Sequence, residues 1–116
     1  MPISVDELRK RLKDVLDENL CCVAVADKYG SVIATAGEGA PLNLFADKSA
    51  ELVSSLQALG AEAGTGPPLQ VTVKLRNANL LLVTRNKGYN VIGVARHNAE
   101  SAMRKLEAFT EELMRQ

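Results

Sequence analysis

Apolar positions first recur at helical spacing: Val5, Leu8, Leu12, Val15 and Leu16 form a stripe, with Arg9, Lys10, Lys13, Asp14 and Asp17 on the other side. Ahead of them, Ser4-Val5-Asp6-Glu7 has the form of a capping box, in which the serine accepts from the amide three residues on and the glutamate reaches back. Both acids also suit the positive end of a helix. The pattern predicts an amphipathic helix running to about Glu18 and stopped by Asn19.

The period then changes. Leu20 to Ala26 has no polar alternation, so both of its faces should be covered, as in a central strand packed by helices. Ser31 to Ala36 is a second small apolar run, and Asp27-Lys28-Tyr29-Gly30 between them ends in the residue that takes positive φ freely. A hairpin is expected, with the chain turning away at Gly37-Glu38-Gly39.

Ala40-Pro41-Leu42-Asn43 reads as a loop into a second helix. That helix carries Leu52, Val53, Leu56 and Leu59 on one face, with Ala46 and Ala50 leading in. Asn43 or Asp47 is expected to cap it, and Gly60 to end it in a left-handed conformation. Its other face, Ala50, Ser54 and Ala58, is small enough for another helix to approach closely. Ala61 to Pro68 reads as a flexible linker.

From Leu69 the period is two. Leu69, Val71, Val73 and Leu75 lie on one face and Gln70, Thr72, Lys74 and Arg76 on the other, the pattern of a half-exposed strand; Pro67-Pro68 at its start suits a sheet edge. Leu80 to Thr84 is apolar on both faces and therefore interior. Asn86-Lys87-Gly88 turns the chain into Tyr89 to Ala95, completing a meander. Asn98 is expected to cap a last helix running to Gln116, with Ala102, Met103, Leu106, Phe109 and Leu113 as its stripe. The expected architecture is a single α+β domain over residues 1–116, with five mostly antiparallel strands and three helices in the order α-β-β-α-β-β-β-α.

Composition narrows the function classes. With 116 residues, 47% of them apolar, there is material for one domain with a two-layer core. Fourteen basic and fourteen acidic residues cancel, which disfavours a non-specific nucleic-acid binder or a polybasic membrane binder, since both need a one-signed patch. No run reaches the length of a membrane span, MPISVDEL lacks the pattern of a signal peptide, and there is no myristoylation glycine or prenylation cysteine. The expectation is a cytoplasmic protein that recognises partners by shape and apolar contact. Cys21 and Cys22, adjacent on a strand, should point to opposite faces as small core residues, and a disulfide between them would be strained.

Catalytic chemistry finds no constellation. His97 is the single histidine, so a two-histidine metal site is impossible, and a Cys/His pair would require a strand-buried cysteine to reach the start of the last helix. Gly37-Glu38-Gly39 and Gly64-Thr65-Gly66 do not continue as GxGxxG, and no GK[ST] follows any glycine-rich stretch. With 3% aromatic residues and no tryptophan there is no stacking platform for bases. No catalytic, cofactor-binding or metal-ligating residue is therefore expected, and no cofactor.

The element order, the hairpin VAVADKYGSVIATAG, and the strands Asn79 to Val83 and Tyr89 to Val94 resemble the roadblock family of dynein light chains and small-GTPase regulators, over essentially the whole chain. The resemblance implies a non-enzymatic protein with a roadblock/longin-like fold that dimerises, alone or with another roadblock protein, by joining third strands into one sheet and packing second helices together. In this chain that interface would comprise Leu69, Gln70, Val71, Thr72, Val73, Lys74 and Leu75, with Ala50, Ser54 and Ala58. The implied partner is a Ras-like small GTPase, a branch favoured by the long last helix, or the dynein intermediate chain in a motor adaptor. Arg76, Arg85 and Arg96 at strand ends are the residues through which an arginine could act in trans. A ligand-sensing domain of the PAS, GAF or profilin kind is the rival class, marked by a cavity along the central strands; a small enzyme ranks behind both.

Overall fold

The computed structural model describes residues 3–85 and 88–115, so the Asn86-Lys87 part of the last turn and Gln116 lie outside the described residues. The order is α1 (Val5–Val15), β1 (Leu20–Asp27), β2 (Val32–Gly37), α2 (Leu42–Ala63), β3 (Gln70–Lys74), β4 (Asn79–Val83), β5 (Tyr89–Ala95) and α3 (Ala99–Met114). The strands form one sheet in the order β2-β1-β5-β4-β3. Every neighbouring pair is antiparallel.

β1 is central and fully buried from Cys22 to Ala26. Its alternate residues feed two cores. Val23 and Val25 join Leu81, Val83 and Val91 beneath Leu8 and Leu12 of α1 and Leu106, Phe109 and Leu113 of α3. Cys22, Ala24 and Ala26 join Leu82, Ile92 and Val94 beneath Ala46 and Val53 of α2. The expected two-layer core is therefore three layers, with helices on both sheet faces. The long uninterrupted apolar strands demand this, because neither face of β1 or β5 can be left in water.

At α1 only half of the capping box forms. Ser4 Oγ accepts from the Glu7 amide at 3.1 Å, but the Glu7 carboxylate meets Arg11 Nε at 3.4 Å instead of reaching back. The helix ends at Val15 rather than Glu18 because Asp17 competes for the backbone: its Oδ1 accepts from the amides of Asn19 and Leu20 at 2.8 and 2.7 Å, a local turn that replaces further helix. Asn19 does more than stop α1. Its Oδ1 accepts from the amides of His97 and Asn98 at 2.9 and 2.8 Å, and its Nδ2 donates to the Asn98 carbonyl at 2.7 Å, tying the start of β1 to the start of α3.

α2 departs most from expectation. It begins at Leu42 without a side-chain cap, so neither Asn43 nor Asp47 serves, and it runs through Gly60 to Ala63 before Gly64 takes the left-handed conformation at φ 71°. Gly60 is needed for space. A Cβ there would lie 2.0 Å from the Gly66 carbonyl oxygen, because the chain folds back and the Gly60 carbonyl accepts from the Thr65 and Gly66 amides at 3.0 and 3.3 Å. The first part of the expected linker is thus helix. The stripe seated on the sheet is Leu42, Ala46, Ser49, Val53 and Gly60, which shares Val53 and the leading Ala46 with the expected face.

Cys21 and Cys22 also differ from expectation. Leu20 pairs with Ala95 and Cys22 with Val94, leaving Cys21 as the extra residue of a bulge. The bulge swings the two side chains together, with their Sγ atoms 3.7 Å apart.

Candidate interaction surfaces

β3 is one of the two edges of the sheet, bonded only to β4. The Thr84 amide donates to the Leu69 carbonyl at 3.0 Å and the Leu75 amide to the Ala78 carbonyl at 2.9 Å. Alternation then turns the backbone groups of Leu69, Val71, Val73 and Leu75 inward, and those of Gln70, Thr72 and Lys74 toward the open edge. Leu69 and Leu75 fall just outside the regular strand and are about half exposed; Gln70, Thr72 and Lys74 are exposed, Val71 and Val73 half-buried. Such an edge is a template for a further strand.

α2 lies over β1, β2 and β5. Around the border of the core beneath it, Phe45 and Leu52 of the helix and Val71 and Leu80 of the outer strands remain half-buried. Beyond them Leu44 and Leu59 are 53% and 61% exposed. On the other border Ser54 and Ala58 are exposed, while Ala50 is half-buried close to the β1–β2 turn. The expected interface residues therefore separate into the β3 edge, the exposed Ser54 and Ala58, and the more enclosed Ala50.

Elsewhere the charges are occupied locally. Arg85 pairs with Glu107 at 3.3 Å and Glu111 at 3.9 Å, while Arg76 and Arg96 are exposed. Lys105 Nζ lies 2.7 Å from Asp17 Oδ2, and that hydrogen bond, with the amides of Leu20 and Asn19, holds the Asp17 carboxyl below its usual range. Burial, reinforced by neighbouring Cys21, pushes the Cys22 thiol up to about 12, so it is a neutral core group at physiological pH rather than a nucleophile. His97 is exposed. Among the described residues no three His, Cys, Asp or Glu side chains gather to hold a metal, and no helix is long and apolar enough to cross a membrane.

A cavity of about 730 Å³ lies between the β1–β2 turn, α2 and the segment entering β3. It was not foreseen at these residues, because Lys28, Gln57, Pro68 and Asn90 come from four separate stretches with no shared sequence pattern.

No family model matches the sequence, and no curated protein matches it. Solved structures do. MglB of Myxococcus xanthus superposes with a TM-score of 0.84 at 15% identity, covering 97% of this chain and 96% of that one. A roadblock/LC7 domain from Streptomyces avermitilis gives 0.80 at 19% identity over 97% and 96%. Schizosaccharomyces pombe profilin gives 0.68 at 14% identity over 91% and 95%. The fold is that of the roadblock/LC7 structures, and its topology is shared more distantly with profilin.

Proposed function

We propose that this chain is a dimeric, non-catalytic adaptor that binds and regulates a Ras-like small GTPase. The observation that carries the reading is the adjacency of two unsatisfied surfaces: the open edge of β3 and the exposed apolar border of α2. Edge-to-edge pairing of β3 with a second copy, or with another roadblock chain, joins two five-stranded sheets and covers the backbone groups of Gln70, Thr72 and Lys74. The same arrangement brings the two α2 helices together on one face of the joined sheet. Ser54 and Ala58 then allow close approach, and the leucine border supplies buried apolar area at roughly 25 cal/mol per Å².

The likeness to MglB and to roadblock/LC7 structures supports the GTPase branch. A platform of this kind acts by contacting one state of the GTPase switch loops better than the other, which shifts their populations without a catalytic group. Arg76 and Arg96 are exposed cations whose replacement tests for an arginine acting in trans.

The test is capture of partners from native cytosol on the immobilised protein, with identification by mass spectrometry. Recovery of a small GTPase, with binding that depends on its nucleotide state, is the expected result. Recovery of dynein intermediate chain selects the motor-adaptor reading instead.

A further inference from the structure

The cavity beneath α2 has the size of a small-molecule site, and its lining is one-signed. Among the described residues Lys28 and Arg85 contribute to it and no carboxylate does. Arg85 is already neutralised by Glu107 and Glu111. Lys28 makes no ion pair with another described residue, and its Nζ stands 5.2 Å from the centroid of the Tyr29 ring. At the cavity wall Asn90 is only 6% exposed, yet its carboxamide makes no hydrogen bond with another described residue. The amide is not sealed among the buried unpartnered atoms, and the cavity it lines is the space from which a partner can come.

The strand register brings these two groups to one end of the sheet. Asn90 pairs with Ala26, so it stands diagonally from Lys28, which follows β1 two residues further on, and both line the cavity. Across from them Val53, Pro68 and Leu69 give apolar wall. We propose that the cavity binds a small organic monoanion with an apolar body, its carboxylate held by the Lys28 ammonium and the Asn90 amide. A polyphosphate would demand more cations than the described lining leaves unpaired. An extended peptide would demand a through-going groove, whereas α2, the β1–β2 turn and the Pro67–Leu69 segment bound this space on three sides. The proposal does not depend on the GTPase reading; because Ala50 and Ser54 also line the cavity, the oligomeric state of each variant is recorded with its binding.

The test is calorimetric titration of the full chain with octanoate and with benzoate, with 1-octanol as the uncharged control. The expected result is one saturable site per chain for at least one of the two acids and at least tenfold weaker binding of the alcohol. Lys28→Glu, at an exposed position, lowers acid affinity tenfold or more without changing the melting temperature of the free protein. Gln57→Trp, also at an exposed position, fills the space and removes binding. Asn90→Leu weakens binding while leaving the free protein at least as stable, which separates a ligand-facing amide from a structural one. Failure of both acids to bind, or binding indifferent to Lys28→Glu and Gln57→Trp, overturns the proposal.

Discussion

The two faces of the sheet are finished to different degrees. On one, α1 and α3 bury every residue of the stripe Ala102, Met103, Leu106, Phe109 and Leu113, and their polar groups are tied across elements by Asn19 to His97 and Asn98 and by Lys105 to Asp17. On the other a single helix covers the sheet, leaving Val71 and Leu80 of the outer strands half-buried at its border. There Leu44 and Leu59 stand in solvent, Ser49 Oγ is buried with no partner among the described residues, and Asn90 faces a cavity. The first face is closed; the second leaves apolar and polar groups open, and it is there that the proposed contacts with other molecules fall. Closed scaffold and open surface are thus divided between opposite sides of one sheet, with β1 and β5 shared by both.

Substitutions on the two faces should therefore fail differently. The largest effect is expected on the finished face. Leu106 is 0% exposed and its Cδ1 would lie 2.8 Å from a Cβ at Gly93, so Leu106→Ala should cost roughly 3 kcal/mol. Denaturant unfolding followed by far-UV dichroism reads this loss directly.

On the second face, Leu59→Glu and Ala58→Glu should leave the fold intact but weaken self-association tenfold or more, because a carboxylate would be desolvated against apolar surface. Measuring both sharpens the account of α2: an effect confined to Leu59→Glu assigns the contact to the leucine border, and an effect confined to Ala58→Glu assigns it to the small-residue border. Unfolding by Ala58→Glu would place that residue in the core, against its exposure.

The smallest effect concerns Asp17. Its carboxyl is held below the usual range, chiefly by the Lys105 hydrogen bond, so its contribution is present above the unfolded value near 3.8 and fades as pH falls through the lower folded value. Being partly exposed, the pair should contribute only about 0.5 kcal/mol. Asp17→Ala should reduce stability at pH 7, and the difference from the parent should shrink steadily as the solution is acidified below pH 4.

What was legible in the sequence follows the same division. The finished face announces itself by periodicity: the α1 and α3 stripes, the interior runs of β4 and β5 and the alternation of β3 all reflect burial against neighbours that repeat along the chain. The position of α2 was harder to read. Its leucines outnumber the small residues that seat it, so the apolar face suggested by Leu52, Leu56 and Leu59 is a flank that is half-buried at Leu52 and Leu56 and exposed at Leu59, and Gly60 looked like a helix end when it answers a close approach by Gly66. The Cys21 bulge and the Asn19 ties depend on register between residues more than 70 positions apart, which no local pattern encodes. Of the open surface, the β3 edge was visible in its alternation and its leading prolines; the cavity was not, since its walls meet only in the folded chain.

Sedimentation velocity of the parent and of Thr72→Pro at micromolar concentration tests the central claim most directly. The Thr72 amide points away from β4, so proline there removes a donor from the open edge without breaking a bond of the ladder. The account predicts a dimer for the parent and a monomer of unchanged far-UV dichroism for the variant. A monomeric parent, or a variant that remains dimeric, would contradict it.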